Sequence, residues 1–192
     1  MAVKLERFSS NPLLTPTSNW WECAAVFNCG AVEYNGKIYL LYRAVGQDRA
    51  SRFGLAISRD GVTIDERRPQ PVFETDYNNP NEWCGCEDPR ITPLDGQYYI
   101  AYTAVSLYPS NTIKYSNETP WRTRVALLQT SDFETFSRRG IIFSDEVDDK
   151  DAALFPAKID GRYFIFHRRN LAIVLASSSD LIQWKEEGTI LK

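Results

Sequence analysis

The chain has 192 residues, enough for one domain with a sizeable core and too few for two comfortable ones. Its 22 lysines and arginines against 25 aspartates and glutamates leave a net charge of −3, which argues against the dense cationic surface that nonspecific nucleic-acid binding requires. Hydrophobic residues at 43% exclude general disorder, and no apolar run approaches the ~20 residues that span a bilayer.

Residues 1–10 carry scattered charges and no basic-plus-apolar leader, so a soluble, cytoplasmic protein is expected. Aromatic residues at 13%, with 10 glycines and 10 prolines, favour strands over helices. The first predicted element is a hairpin over residues 31–43, turning at Asn35-Gly36 into the run Ile38, Tyr39, Leu40, Leu41, Tyr42. A second covers 91–102 around Asp95-Gly96, and a third covers 157–167 around Asp160-Gly161. Asn-Gly and Asp-Gly accept the positive φ angles of a tight turn, so each segment reads as two antiparallel strands.

Each hairpin is followed by a second echo. Leu55, Ser58, Asp60 and Ile64 recur as Leu127, Thr130, Asp132 and Phe136, then as Leu175, Ser178, Asp180 and Trp184. This predicts a third strand, a turn whose Asp caps backbone amides, and a fourth strand packed through the bulky residue. Repeated four-stranded antiparallel units are the signature of an all-β fold, the β-propeller. At ~50 residues per blade, the chain forms a single partial propeller of about three blades, roughly 24–75, 86–145 and 152–192. Ordinary propellers have at least four, so the chain is expected to be part of a longer protein or to be completed by a partner. The open strand edges predict a homo-oligomer or a partner chain covering them.

The four cysteines, Cys23, Cys29, Cys84 and Cys86, lack zinc-site spacing and are expected to be reduced and mostly buried. His167 is the only histidine, so no metal is predicted. Trp20, Trp21, Trp83 and Trp121 suit either core packing or stacking on sugar rings. The insert over residues 107–121, with Tyr108, Asn111, Tyr115 and Asn117, reads equally as a lid, an acceptor-site wall or an exposed loop.

The densest chemistry is Glu87-Asp88-Pro89-Arg90, directly before the second hairpin. Adjacent carboxylates on an extended strand point to opposite sides, so these two are not expected to act as one dyad. One is expected to face the cavity while the other binds backbone amides or Arg90. Asn28, Arg43, Lys150, Asp151, His167 and Arg168 stand at matching ends of the repeats and would converge on one axis, giving a polar, anion-accepting pocket. Pairing of Arg43 and Arg168 with acids across blades is the alternative.

Asn11-Pro12, Val26-Phe27-Asn28, Gly30-Ala31-Val32, Tyr42-Arg43-Ala44, Glu87-Asp88-Pro89-Arg90, Leu154-Phe155-Pro156 and His167-Arg168 occur in this order. Together they resemble glycoside hydrolase family 130, the β-mannoside phosphorylases, from about Asn11 to the end of the chain. The resemblance implies a five-bladed propeller, here truncated or split after the third blade. It lacks the family's late lysine near a Gly-rich turn and its Tyr-His-Gly motif.

The resemblance further implies Asp88 as catalytic acid and Asn28, Arg43, Arg49 and Arg90 as sugar-side residues. Lys150, Arg168 and His167 would serve the phosphate. The implied partners are a β-linked manno-oligosaccharide and inorganic phosphate as co-substrate, with no other cofactor, nucleic acid or membrane. Such an enzyme would transfer mannose to phosphate with inversion, giving α-mannose 1-phosphate. A phosphorylase can omit the base that an inverting hydrolase needs, because phosphate is already nucleophilic and requires cations instead. A β-mannosidase and an inactive carbohydrate-binding remnant are the alternatives.

Overall fold

A computed structural model describes residues 4, 6–108, 120–143 and 147–192. Twelve strands follow one another: β1 (Ala25–Tyr34), β2 (Lys37–Val45), β3 (Ser51–Ser58), β4 (Glu66–Arg67), β5 (Gly85–Leu94), β6 (Gln97–Leu107), β7 (Trp121–Thr130), β8 (Ser137–Ile141), β9 (Asp149–Leu154), β10 (Tyr163–Arg169), β11 (Ala172–Ser178) and β12 (Trp184–Leu191). No helix among the described residues is long and apolar enough to cross a membrane. Asn111, Tyr115 and Asn117 of the insert lie outside the described residues.

Antiparallel pairing groups the strands into three four-stranded meanders: β1–β4, β5–β8 and β9–β12. The first two are joined into one sheet only by the parallel pair Ser51↔Gly85, and the third is separate. The sheets do not close on themselves. The innermost strands stand side by side, with β5 packed against both β1 and β9. Whatever these strands present therefore gathers along one line.

Two apolar layers glue the meanders together. Leu41, Phe53, Leu55, Ile100, Tyr102 and Phe133 fill the space between the first and second. Tyr99, Leu127, Val125, Leu154 and Ile165 fill that between the second and third. Strand β3 is buried along its whole length, whereas β12 is exposed almost throughout. Each fully buried Phe or Leu stabilises the stack by about 1.5–3 kcal/mol.

The turns between third and fourth strands follow from the repeated Ser/Thr-x-Asp. Ser58 Oγ accepts from the Gly61 amide at 2.8 Å, and Asp60 Oδ1 accepts from Val62 and Thr63 at 2.9 and 2.7 Å. These amides hold the Asp60 carboxyl down to about 2. Thr130 with Asp132 and Ser178 with Asp180 repeat the arrangement.

Two expectations need correction. The third hairpin does not begin at Ala157: its first strand is β9, and Asp160-Gly161 closes only an isolated Ile159↔Arg162 bridge. Pro156 has no N–H to give the ladder, so regular pairing stops just before it. The cysteines are free, but only Cys86 is buried, while Cys29 is exposed.

Candidate active site

The first strand of each meander contains the same irregularity. Pairing between β1 and β2 shifts between Phe27 and Gly30, and that between β5 and β6 shifts between Glu87 and Arg90. The β9–β10 ladder shifts in the same way opposite His167. Asn28, Asp88 and Asp151 occupy these bulges with φ of 47°, 55° and 53°. Asn and Asp are the non-glycine residues that best tolerate the left-handed region, so backbone geometry alone selects this residue type at all three places.

The bulge overturns the expectation that Glu87 and Asp88 point apart, because an extra residue breaks the two-residue alternation on which it rested. Both carboxylates meet one guanidinium. Arg43 Nη1 donates to Asp88 Oδ1 at 3.2 Å, and Nη2 pairs with Glu87 Oε1. Arg43 Nε donates to Ser51 Oγ at 3.0 Å, and that hydroxyl donates to Glu87 Oε1 at 3.2 Å. Asn28 Nδ2 donates to Asp88 Oδ1 at 2.9 Å, and the Phe27 ring lies 4.6 Å from the Arg43 guanidinium carbon. Asp88 Oδ2 has no hydrogen-bond partner among the described residues.

This cluster crosses the boundary between the first two meanders, so Arg43 pairs with acids across repeats, as the alternative reading had it. Gly85 makes the crossing close. A side chain there would meet the Ser51 backbone nitrogen at 2.9 Å, at a φ of +151°. Burial pushes the Glu87 carboxyl up from its ordinary range; Arg43 opposes that shift and Asp88 adds to it.

Beside the cluster lies a cavity of about 850 Å³, lined by Arg43, Arg49, Ser51, Glu87, Trp121, Thr123, Asp148 and Lys150 among others. Asp148 is engaged: its Oδ1 accepts from Arg124 Nη1 at 2.9 Å and from the Thr123 amide at 2.8 Å. Arg49 and Lys150 have no carboxylate partner among the described residues. Two cations that form no ion pair among the described residues thus line the cavity. That is an arrangement suited to an anion.

The remaining sequence-predicted residues are placed elsewhere. Arg90 is exposed, makes no bond to either carboxylate, and lines a separate cavity of about 410 Å³ with residues of β1 and β9. Arg168 lies across the ladder from Lys150, but its Nε is held by Asp151 Oδ2 at 2.6 Å within its own sheet. His167 is fully buried, 2.7 Å from Asp149 Oδ2 through Nδ1 and stacked 4.0 Å from the Phe143 ring. It stands opposite its bulge, where Tyr42 and Tyr102 stand opposite theirs. Trp21 is buried, Trp20, Trp83 and Trp121 are partly exposed, and Trp121 alone of the four lines the 850 Å³ cavity.

Two supports escaped sequence reasoning. Glu22 accepts from Tyr42 Oη at 2.8 Å and from Arg67, and Glu82 accepts from Tyr102 Oη at 2.7 Å and from Arg138. Each acid stands six residues before its bulge residue, and that spacing could have revealed both.

The whole chain from residue 5 to 192 matches the glycoside hydrolase family 130 model, described as β-1,4-mannooligosaccharide phosphorylase. A 1,2-β-oligomannan phosphorylase of Thermoanaerobacter sp. (strain X514) is 36% identical over 99% of this chain, which covers 62% of that relative's length. The structure of a β-1,2-mannobiose phosphorylase from Listeria innocua, in complex with β-1,2-mannobiose, superposes with a TM-score of 0.76 at 25% identity. It is matched by 96% of this chain, over 65% of its own length. A further structure, with a TM-score of 0.74 and 28% identity over 93% of this chain and 56% of its own, was described with the statement that this family of mannoside phosphorylases contains glycoside hydrolases targeting β-1,2 mannosidic linkages in Candida mannan.

Proposed function

The chain belongs to glycoside hydrolase family 130, and from that premise we propose that it transfers a β-linked mannosyl unit from a manno-oligosaccharide to inorganic phosphate, with inversion. The observation that supports this reading is the pair of cations in no ion pair, Arg49 and Lys150, in a cavity whose wall includes Glu87 and its Arg43 clamp. The three meanders are read as three blades of a five-bladed propeller, roughly 24–75, 86–145 and 152–192.

In this reading Asp88 takes up a proton on Oδ2 as the sugar binds and gives it to the leaving oxygen, directly or through a sugar hydroxyl. Asn28 and Arg43 fix Oδ1 and so aim the other oxygen. A phosphate oxygen attacks the anomeric carbon from the opposite face while the bond to the leaving oxygen breaks. The proton of hydrogen phosphate returns to Asp88, so the products are the shortened sugar and α-mannose 1-phosphate. Arg49 and Lys150 hold the dianion at the attacking distance, and Arg168 joins them if Asp151 releases it.

A hydrolytic second reading draws on the related structure described with mannosidases, and on the two carboxylates gathered at Arg43. Incubating the protein with β-mannobiose, with and without phosphate, separates the two. Phosphorus NMR showing mannose 1-phosphate only when phosphate is supplied supports phosphorolysis. Free mannose released at the same rate in both samples overturns it.

A further inference from the structure

The charges around the 850 Å³ cavity imply more than anion binding. We propose that an anion entering this cavity brings a proton with it, taken up on Glu87. The inference rests on the reading of the cavity as an anion site and adds a coupling to it.

Glu87 faces charged or polar groups from every neighbouring element. Arg43 of β2 and Ser51 of β3 both bond its Oε1, leaving Oε2 without a partner among the described residues. Asp88 follows it on β5, Lys150 approaches from β9, and Arg49 stands in the loop before β3. Asp148 is committed to Arg124 and Thr123. The Cys84 thiol on the same wall is pushed up by burial and stays protonated.

Arg43, Arg49 and Lys150 therefore face Glu87 and Asp88, three cations against two carboxylates. A bound dianion reverses this single excess positive charge to a single negative one, and one proton restores neutrality. Asp88 shares its Oδ1 with both Asn28 and Arg43, but Glu87 alone of the two lines the cavity. The new negative charge falls nearest to Glu87, and like charge favours the neutral carboxyl. Burial already disfavours the charged form of Glu87 before the anion arrives.

Sulfate is a suitable probe because it stays a dianion across the working range, whereas phosphate itself titrates there. Calorimetric titration of sulfate into the intact protein, in two buffers of different ionisation heat between pH 6 and 8, counts the protons taken up. The expected result is fractional proton uptake by the parent and an affinity that weakens up to tenfold per pH unit. Glu87→Gln is expected to bind sulfate without uptake and with an affinity independent of pH. Sulfate binding by the parent with no proton uptake overturns the proposal and leaves the anion site standing. Uptake that persists in Glu87→Gln also overturns it. Absence of any sulfate binding removes the anion reading and the coupling together. The parent measurement decides even if the variant fails to fold.

Discussion

The two junctions between meanders begin from the same backbone device and end in different chemistry. At the first, Arg43 of one meander clamps Glu87 and Asp88 of the next, so the boundary is bridged by charge. At the second, Arg168 turns to Asp151 of its own sheet, and Lys150 is left facing the cavity, with Arg49 of the first meander across it. The comparison teaches that a repeated bulge sets where an acid stands, while the pairing of the neighbouring arginine decides what the site can hold. On the proposed reading, the first junction positions an acid and the second adds a cation for an anion.

The largest effect is expected from breaking the acid. Asp88→Asn should lower turnover by about 100- to 10,000-fold, the range of general acid catalysis, while the thermal midpoint stays near that of the parent. Asn tolerates the left-handed φ of 55° as Asp does, so a folding loss is not expected. Turnover within tenfold of the parent would rule out the acid role. Next in size is the support beneath the first junction. Glu82→Ala strands the buried Tyr102 hydroxyl and unpairs Arg138, and should cost about 3 kcal/mol in denaturant unfolding.

At the second junction the effects are smaller and unequal. Lys150→Gln should weaken phosphate binding about tenfold, as expected for one hydrogen bond to a charged group, with mannoside affinity unchanged. Arg168→Gln should weaken it only about twofold, because Asp151 already occupies that guanidinium. Equal losses in the two variants would erase the distinction between an engaged and an unengaged cation.

The smallest effect separates two carboxylates by the sign of their pH dependence. Burial pushes Glu22 up, but bonds from Thr17, Asn19, Tyr42 and Arg67 outweigh it and hold the carboxyl below its ordinary value of 4.5. The folded state then binds fewer protons than the unfolded one. Its stabilisation is present above that value and is lost as pH falls through the lowered one. Glu87 is raised, so its folded state binds more protons, and its contribution weakens stability as pH rises through the region above 4.5. In urea unfolding, Glu22→Gln should deviate from the parent below pH 4.5 and Glu87→Gln above it, with opposite slopes.

Much of the fold was legible because it is written in local chemistry. The Asn35-Gly36 and Asp95-Gly96 turns and the three Ser/Thr-x-Asp turns need only neighbouring residues to form. The third hairpin was misplaced because Asp160-Gly161 carries the same turn signal without a ladder behind it, and Pro156 intervenes. The site was harder to read for a related reason. Strand alternation separates Glu87 from Asp88, and only the tertiary register, which places a bulge there, brings them together on Arg43. His167 drew attention as a polar neighbour of Arg168, but its register puts it among the buried positions shared with Tyr42 and Tyr102.

The most direct test of the cavity is calorimetric titration of inorganic phosphate into the parent protein and into a variant carrying both Arg49→Gln and Lys150→Gln. The account predicts saturable binding of phosphate by the parent and a loss of at least about tenfold in the double variant, with its fold retained by circular dichroism. A parent that takes up no phosphate, or a double variant that binds it as tightly, would contradict the account.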